Sequence, residues 1–244
     1  MDDRVVAIVL AGGQGSRIRN AYPNIPKPLI PVAGEPFVEW IIRHLSSQGI
    51  QQLVVSLGHL AGVAEHYFRH RHPEQMTIHT VREDRPLGTG GGFLWAQQQA
   101  APDADPLVVV NGDSLVLADF SNAWSLLADP TVDAVVLGVE VDDAARYGRL
   151  EIDGHGRLLR FREKQAGRGL VNAGVYFFRR RLLGKFPHQR PLSMELDVFP
   201  RLLAADAKIL VAVCQASFID IGTPDAVRQA DLFIDQHFHR VVPS

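Results

Sequence analysis

A glycine-rich loop follows the first apolar segment of the chain. Three glycines fall within residues 12–15, and they let the backbone turn sharply and bring its N–H groups against phosphate oxygens. Arg17 and Lys27 add positive charge just downstream. Because residues 5–10 are typical of a buried parallel strand, we expect the loop at the carboxyl end of that strand, where open α/β sheets bind ligands. These residues indicate a nucleoside triphosphate site, with a plain strand-to-helix turn as the alternative.

Two familiar glycine motifs do not fit this loop. The dinucleotide fingerprint G-x-G-x-x-G requires a final glycine at the position where this chain has Ile18. The phosphate loop G-x-x-x-x-G-K-[ST] requires a Gly-Lys-Ser or Gly-Lys-Thr triplet, which the sequence lacks. The loop is therefore a different kind of anion site.

Further polar groups follow other predicted strands. Residues 88–92 open a helix and allow a base or ribose to approach the backbone, or they form a hinge. Asp113 directly follows an apolar strand, and Asp220 lies at the end of a late strand before a helix. Carboxylates in these places suit a divalent cation held against phosphates, and structural ion pairs are the alternative. The two acids can meet only if the late strand returns beside the central sheet.

A fourth polar group lies in the second half of the chain. Glu163 and Lys164, together with residues 172–174, offer a cation and hydrogen-bonding groups suited to a phosphorylated sugar. On these residues alone, ordinary surface polarity is the favoured alternative.

The motifs, taken in order, resemble the sugar-1-phosphate nucleotidyltransferase family over almost the whole chain. The matching segments are residues 10–17, 26–28, 88–91, 111–113, 163–164, 172–174 and 220–224. The resemblance implies a Rossmann-like domain that joins a nucleoside triphosphate to a sugar 1-phosphate, releases pyrophosphate and uses Mg²⁺. Ser16 stands where the family usually has threonine, which keeps the hydroxyl.

The resemblance also implies roles for individual residues. Those that match catalytic positions are Arg17, Lys27, Asp113, Lys164 and Asp220, with Asp113 and Asp220 as the metal-binding acids. The nucleotide-binding set, to which we add Glu83, is Leu10, Ala11, Gly12, Gly13, Gly15, Ser16, Arg17, Glu83, Gly88, Thr89, Asn111 and Gly112. The sugar-phosphate set is Tyr147, Gly148, Glu163, Lys164 and Asn172.

Within the family, residues 86–91, 193–200 and 218–224 look most like the D-glycero-α-D-manno-heptose 1-phosphate guanylyltransferases, which implies GTP and a heptose 1-phosphate as substrates. Glu83 offers a physical argument, because a carboxylate can accept from both N1–H and the exocyclic amine of guanine; solvated surface charge is its alternative. Three rival functions stay open: a mannose-1-phosphate guanylyltransferase, a uridylyl- or thymidylyltransferase acting on a hexose or amino-sugar 1-phosphate, and a non-catalytic nucleotide-sugar sensor.

Composition limits the class of protein. The chain has 244 residues, 46% of them hydrophobic, which is enough for one large α/β domain. A net charge of −2 gives no general attraction to nucleic acid, and no apolar run reaches the roughly 20 residues that span a bilayer. Asp2 and Asp3 do not fit a secretion signal. The single cysteine, Cys214, fits a reducing compartment and is expected in the core. We therefore expect a cytoplasmic protein with small-molecule substrates; homo-oligomerisation is left open.

The pattern of apolar runs predicts the elements that must position these residues. Strands are predicted at residues 5–10, 52–57, 76–81, 107–110 and 134–141, and they alternate with helices at 36–48, 61–70, 91–100 and 120–127. Shorter strands are predicted at 148–152, 157–161 and 171–178, with helices at 193–205 and 224–236 capped by Ser193 and Thr223. This order predicts one domain over residues 1–244 with a mainly parallel, mixed sheet flanked by helices. A nucleotide-binding core of about 1–145 precedes a smaller sugar-binding part of about 146–244.

Two histidines on a predicted helix require separate mention. His66 and His70 are four residues apart and could ligate zinc, but no further ligand set of recognisable spacing surrounds them. A surface helix face is the favoured interpretation.

Overall fold

The computed structural model describes residues 5–71, 76–162 and 164–238. The strands are β1 (Val6–Ala11), β2 (Pro31–Val32), β3 (Glu35–Pro36), β4 (Gln52–Leu57), β5 (Thr77–Arg82), β6 (Leu107–Asn111), β7 (Ser114–Val116), β8 (Ala134–Val141), β9 (Arg149–Ile152), β10 (Leu158–Arg162), β11 (Gly169–Phe178), β12 (Ile209–Cys214) and β13 (Phe218–Asp220). The helices are α1 (Phe37–Ser47), α2 (Ala61–His70), α3 (Gly88–Ala100), α4 (Ser121–Ala128), α5 (Phe199–Ala204) and α6 (Pro224–His237).

A nine-stranded sheet forms the centre of the described part of the chain. Its order is β10-β9-β11-β6-β1-β4-β5, with β8 pairing to β11 and β12 pairing to β8. Strands β6, β1, β4 and β5 are parallel neighbours, whereas β11 runs antiparallel to β6 and β8. The prediction of a mainly parallel, mixed sheet flanked by helices is confirmed. The division near residue 145 stays a prediction.

The central strands are buried on both faces. Along β1, Ala7 and Val9 join the apolar cluster that contains α1 and α2, whereas Val6 and Ile8 join the cluster that contains α3 and α5. This alternation follows from the two-residue period of a strand, and it explains why the segment is continuously apolar. Helices on both faces thus leave the strand ends as the place where polar groups gather.

The register sets which residues meet at the carboxyl edge. Leu10 pairs with Asn111 of β6, and Ala11 pairs with Leu57 of β4. The chain segments that follow these three strands therefore begin side by side, and they include the glycine-rich loop and Asp113.

The late return of the chain takes a form that the sequence did not predict. Strand β13 pairs antiparallel with β7, a three-residue strand directly after β6, and this pair forms its own two-stranded sheet. The register places Asp220 opposite Ser114, and the Ile221 N–H donates to the Asp113 carbonyl at 2.9 Å. Asp220 therefore reaches Asp113 through a short ribbon beside the central sheet. Strand β7 is too short to show a hydrophobic period.

The helix predicted at residues 193–205 is divided in the structure. A π-helical turn (Met194–Val198) precedes α5, which has Pro200 in its first turn. Proline lacks an N–H and is tolerated only at the start of a helix, so its position explains why α5 begins anew there. Both predicted N-caps are confirmed: Ser193 Oγ accepts from the Leu196 N–H at 3.2 Å, and Thr223 Oγ1 accepts from the Ala226 N–H at 3.3 Å.

Cys214 corrects one expectation. It lies at the end of β12 and is half-buried rather than in the core, and its Sγ is 3.4 Å from the Gly138 carbonyl, to which it donates. Burial nevertheless raises the pKa of its thiol to about 11. Among the described residues, no helix is long and apolar enough to cross a membrane.

Candidate active site

A cleft of about 360 Å³ opens at the carboxyl edge of β1 and β6. Lys27 and Asp113 lie on its wall. The residues of the predicted nucleotide-binding set that line it are Leu10, Ala11, Gly12, Gly13, Glu83, Gly88, Thr89, Asn111 and Gly112. The first half of the chain therefore brings most of that set to one cavity. Gly15, Ser16 and Arg17 are not among the lining residues.

Gly12 and Gly58 lie at a close approach inside the protein. A β-carbon there would collide with the Glu83 carboxylate, and a β-carbon at Gly58 would lie 2.5 Å from the Gly12 carbonyl oxygen. Gly15 adopts a left-handed backbone, with φ of +56°, at the start of the turn that leads to Ile18. Gly58, which the sequence analysis missed, holds the loop against the end of β4.

Glu83 borders the cleft from the end of β5. Its Oε1 accepts from Ser56 Oγ at 2.9 Å, and its Oε2 accepts from the Leu87 N–H at 3.2 Å. Burial raises the pKa of Glu83 above its usual 4.5, although the hydrogen bonds from Leu87 and Ser56 act in the opposite direction. The carboxylate is thus fixed in place beside Gly12. Glu83 is therefore not the fully solvated surface charge that the sequence left open as the alternative.

The start of α3 is covered by a later segment. The Leu192 carbonyl accepts from the N–H groups of Gly90 at 2.8 Å and Gly91 at 3.3 Å, and Thr89 Oγ1 accepts from the Met194 N–H at 2.8 Å. Gly88 has a φ of +75° and packs against Leu192. The expectation that this helix start is open to a base or ribose is wrong for Gly90 and Gly91, because helix N-terminal N–H groups that already donate to a carbonyl are satisfied.

Lys27 and Asp113 form an ion pair at the end of the cleft. Lys27 Nζ donates to Asp113 Oδ2 at 2.5 Å, and 12% of the Lys27 side chain is exposed. Pro26 and Pro28 flank the lysine on a 3₁₀ turn and fix its backbone. Asp113 is positioned by Gly112, whose N–H donates to the Leu10 carbonyl at 2.9 Å.

Asp220 is held by a second cation that the sequence analysis missed. Arg146 Nη2 lies 3.2 Å from Asp220 Oδ2, and the Gly222 N–H donates to Asp220 Oδ1 at 2.8 Å. Arg17 is exposed, and its Nη2 lies 3.4 Å from the place that a β-carbon on Gly222 would take. Arg17 thus lies beside the Asp220 turn. The only sequence signal for Arg146 is that it precedes Tyr147 directly.

Asp113 and Asp220 could supply only some of the ligands of a metal ion. Asp113 and Asp220 present carboxylate oxygens from neighbouring strand ends, and no group of three or more His, Cys, Asp or Glu side chains in the described ranges forms a metal site. Mg²⁺ is typically bound through one or two carboxylates, with waters and substrate phosphates completing its shell. The donor set therefore fits a cation that arrives with a nucleotide.

Three of the predicted sugar-phosphate residues, Tyr147, Gly148 and Asn172, lie together near Asp220. Tyr147 packs its ring against Phe218, with centroids 5.0 Å apart. Burial raises the pKa of Tyr147 to about 12, and the nearby charge of Asp220 adds to the rise. The Asn172 N–H donates to the Gly148 carbonyl at 3.0 Å.

Lys164, His66 and His70 do not join these contacts. Lys164 is exposed and makes no hydrogen bond or ion pair with another described residue, and Glu163 lies outside the described residues. His66 and His70 are exposed on α2, where His70 Nδ1 lies 2.8 Å from the His66 carbonyl.

Comparison with known proteins identifies the family. The sequence profile described as Nucleotidyl transferase matches residues 6–237. The chain belongs to this family. Nucleotidyl transferases generally use a divalent metal, which agrees with the paired acids.

Individual relatives narrow the resemblance. The chain is 31% identical to the D-glycero-alpha-D-manno-heptose 1-phosphate guanylyltransferase of Aneurinibacillus thermoaerophilus over 95% of this chain and 99% of that relative. It is 35% identical to the mannose-1-phosphate guanylyltransferase of Mycobacterium tuberculosis over 94% of this chain, but it spans only 65% of that relative's length. The crystal structure of HddC from Yersinia pseudotuberculosis matches with a TM-score of 0.84 and 31% identity, over 94% of this chain and 99% of that chain. The predicted resemblance to guanylyltransferases is confirmed.

Proposed function

We propose that this protein is a guanylyltransferase that joins GTP to D-glycero-α-D-manno-heptose 1-phosphate, forming GDP-heptose and pyrophosphate. One structural relationship carries the proposal: the glycine-lined cleft ends at Asp113, and the β13–β7 ribbon brings Asp220, with Tyr147 beside it, to the same place. A nucleotide in the cleft would then have its phosphates at the two acids. A second substrate would approach from the side of Tyr147.

The reaction requires charge control more than acid–base chemistry. An oxygen of the sugar phosphate is anionic at neutral pH, so it can attack the α-phosphorus without a general base. A new O–P bond forms in line with the α–β bridging bond, which breaks as pyrophosphate leaves. Mg²⁺, held by Asp113 and Asp220, would supply charge to neutralise the crowded phosphates. The protein's own task is to align two anions that repel each other.

Three cations would perform that alignment. Lys27 lies on the cleft wall, where it would bind the triphosphate. Arg17 lies beside the Asp220 turn, so it would stabilise the departing pyrophosphate. Lys164 is exposed and would bind the phosphate of the incoming sugar. Each role is a proposal that follows from the position of the residue in the family motifs.

The base preference is supported by Glu83. Its carboxylate is fixed on the cleft wall, and each oxygen has lone pairs beyond the one used by Ser56 or Leu87. Guanine offers two N–H donors on one edge, whereas uracil or thymine would direct carbonyl oxygens at the carboxylate. HddC has also been solved in complex with GMP-PN, a ligand reported for that protein. Both facts favour GTP for this chain.

A mannose-1-phosphate guanylyltransferase is the second candidate. It is supported by the 35% identity to the Mycobacterium tuberculosis relative. The heptose assignment is preferred because the heptose 1-phosphate guanylyltransferase of Aneurinibacillus thermoaerophilus matches the chain over 99% of its own length. The two sugars share their ring configuration and differ in one terminal carbon, so the choice depends on the sugar pocket alone.

A pyrophosphate-release matrix tests the proposal. The protein is incubated with Mg²⁺ and each of GTP, ATP, CTP, UTP and dTTP against heptose, mannose, glucose and amino-sugar 1-phosphates. We expect the highest kcat/KM for GTP with the manno-heptose 1-phosphate. A higher value with mannose 1-phosphate would establish the second candidate, and a preference for UTP or dTTP would overturn the guanine assignment. Nucleotide-sugar binding without pyrophosphate release from any pair would indicate a non-catalytic sensor.

A further inference from the structure

The polar contacts of Asn172 leave it unable to donate to a ligand. Asn172 is buried, with only 7% of the residue exposed. Asn172 Nδ2 donates to the Tyr176 hydroxyl at 2.8 Å and to Glu195 Oε1 at 2.6 Å, while its Oδ1 accepts from the Gly174 N–H at 3.0 Å. A side-chain amide nitrogen has two hydrogens. Because both are used inside the protein, Asn172 does not serve as a side-chain hydrogen-bond donor to the sugar in this geometry.

Glu195 is the polar group that this arrangement presents outward. It lies on the π-helical turn Met194–Val198 and is only half-buried. Its Oε1 is held by Asn172, whereas its Oε2 accepts from no residue in the described ranges and lies 3.6 Å from the place of a β-carbon on Gly148. Short π-helical turns occur frequently at functional sites. A buried amide thus orients one carboxylate oxygen and leaves the other beside a residue without a side chain.

The position of Glu195 relative to Asp220 suits one bound molecule. Gly148 lies next to Glu195, and the adjacent Tyr147 lies next to Asp220. Both carboxylates therefore lie beside the same dipeptide, Tyr147-Gly148. A sugar 1-phosphate with its phosphate near Asp220 would extend its ring over Gly148 toward Glu195.

We propose that Glu195 binds a ring hydroxyl of the sugar and that Asn172 is the positioning residue that aims it. The inference rests on the proposed function, since it takes the second substrate to be a sugar 1-phosphate. A hydroxyl that donates to a carboxylate makes a charge-assisted hydrogen bond, which is stronger than one between neutral groups. A site built around such a bond rejects analogues that lack the hydroxyl, because its own polar group is left without a partner. Glu195 would therefore select fully hydroxylated sugars.

The test measures binding of α-D-mannose 1-phosphate and its 2-, 3-, 4- and 6-deoxy analogues by calorimetry, which needs no turnover. For the wild-type protein we expect one ring-deoxy analogue to bind about 10- to 150-fold more weakly than the parent, the range for a hydrogen bond to a charged group. Glu195→Ala should bind the parent as weakly as that analogue and should no longer distinguish the two. Asp197→Asn removes another carboxylate charge from the same turn and keeps an oxygen that can accept from the Ser193 N–H, so it should retain the wild-type pattern.

The Asn172→Ala variant tests whether Asn172 orients the Glu195 carboxylate or only supports the local structure. It leaves the Glu195 carboxylate in place but removes the amide that orients it, so discrimination against that one analogue should fall while discrimination against the others persists. Equal weakening of the parent and every analogue in Glu195→Ala would overturn the proposal, as would unchanged binding. If the pyrophosphate-release matrix shows turnover, either result would still be compatible with the proposed guanylyltransferase activity. A wild-type protein that neither binds nor turns over any sugar 1-phosphate would overturn both.

Discussion

Lys27 Nζ lies 2.5 Å from Asp113 Oδ2, although 86 residues separate the two in the chain. The lysine is mostly buried, whereas 42% of the Asp113 side chain is exposed and remains accessible to a cation or a phosphate-bound metal. Each of the two acids at the end of the cleft is paired in this way, Asp113 with Lys27 and Asp220 with Arg146.

Lys27→Met should lower kcat/KM for pyrophosphate release by about 10²–10³-fold, the usual effect of removing one donor that stabilises transition-state charge. The fold should persist, because water can solvate the exposed Asp113 carboxylate once its partner is gone. Stopped-time pyrophosphate assays and circular dichroism measure the two effects. Lys185→Met, at an exposed lysine, is the matched control. A decrease of less than about threefold would remove Lys27 from the proposed mechanism.

Asp220→Asn should abolish turnover and leave the melting temperature close to that of the wild type. The asparagine keeps an oxygen that can accept from the Gly222 N–H, so the turn survives while the negative charge is lost. Pyrophosphate release and thermal melts check the two halves of the prediction. Asp225→Asn, an exposed acid at the start of α6, serves as the control. Near-normal activity in Asp220→Asn would refute a metal-binding role.

Arg146→Met should increase the affinity of the substrate-free protein for Mn²⁺. The arginine competes with a metal ion for Asp220, and exposed ion pairs contribute about 0.2–1 kcal/mol, so we expect a gain of about 1.5- to 5-fold. Because the pair is exposed, the gain should shrink as salt is added. Electron paramagnetic resonance of Mn²⁺ measures the binding. Arg168→Met, which removes an exposed arginine paired with Glu140, should change nothing, and equal affinities in wild type and Arg146→Met would contradict the prediction.

Glu83→Gln should weaken the preference for GTP. The amide offers guanine one acceptor and one donor where the carboxylate offers two acceptors, so we expect the ratio of kcat/KM for GTP to that for UTP to fall by about tenfold. A competition assay with both nucleotides reports this ratio directly. Asp84→Asn, an exposed neighbour, is the control for loss of charge alone. An unchanged ratio in Glu83→Gln would exclude this residue as the base-reading group.

His44 should make the stability of the fold depend on pH. Burial lowers the pKa of His44 below its usual 6.5, against a hydrogen bond with the Ala118 backbone that raises it. The unfolded chain then binds a proton more readily than the folded one, so the free energy of unfolding should decrease as the pH falls below about 6.5 and level off below the folded-state pKa. Denaturant unfolding at pH 5 to 8 measures this slope. His44→Leu should reduce it, whereas His66→Leu, at an exposed position on α2, should not.

Much of the fold could be predicted because its signals are local. The strands β1, β4 and β6 are short apolar runs and α1 has helical periodicity, and each was predicted to within two residues. The division of the helix near Pro200 was missed because a single proline is compatible with a first turn as well as with a break. Strand β7 was missed because three residues carry no usable period.

The candidate site, like the fold, was predicted from the sequence only in part. Its glycine loop and acids were found from residue types that follow strands, and Asp113 lines the cleft as expected. Arg146 and Glu195 gave no such signal, because an exposed arginine and a glutamate on a helix are common and carry no spacing rule. The role expected of Asn172 changed once its two N–H groups were seen to be used by Tyr176 and Glu195.

The sequence by itself determined which chemistry the chain can perform. Glycines at strand ends provide the backbone freedom that a phosphate site needs, and the cations and acids there provide its charge. Tertiary structure alone decided which of those groups meet. The pairing of β13 with β7 places Asp220 beside Asp113 across more than a hundred residues, and the N–H groups of Gly90 and Gly91 in α3 donate to the Leu192 carbonyl rather than to a ligand. Such contacts depend on how distant segments pack, and no local period or motif records them.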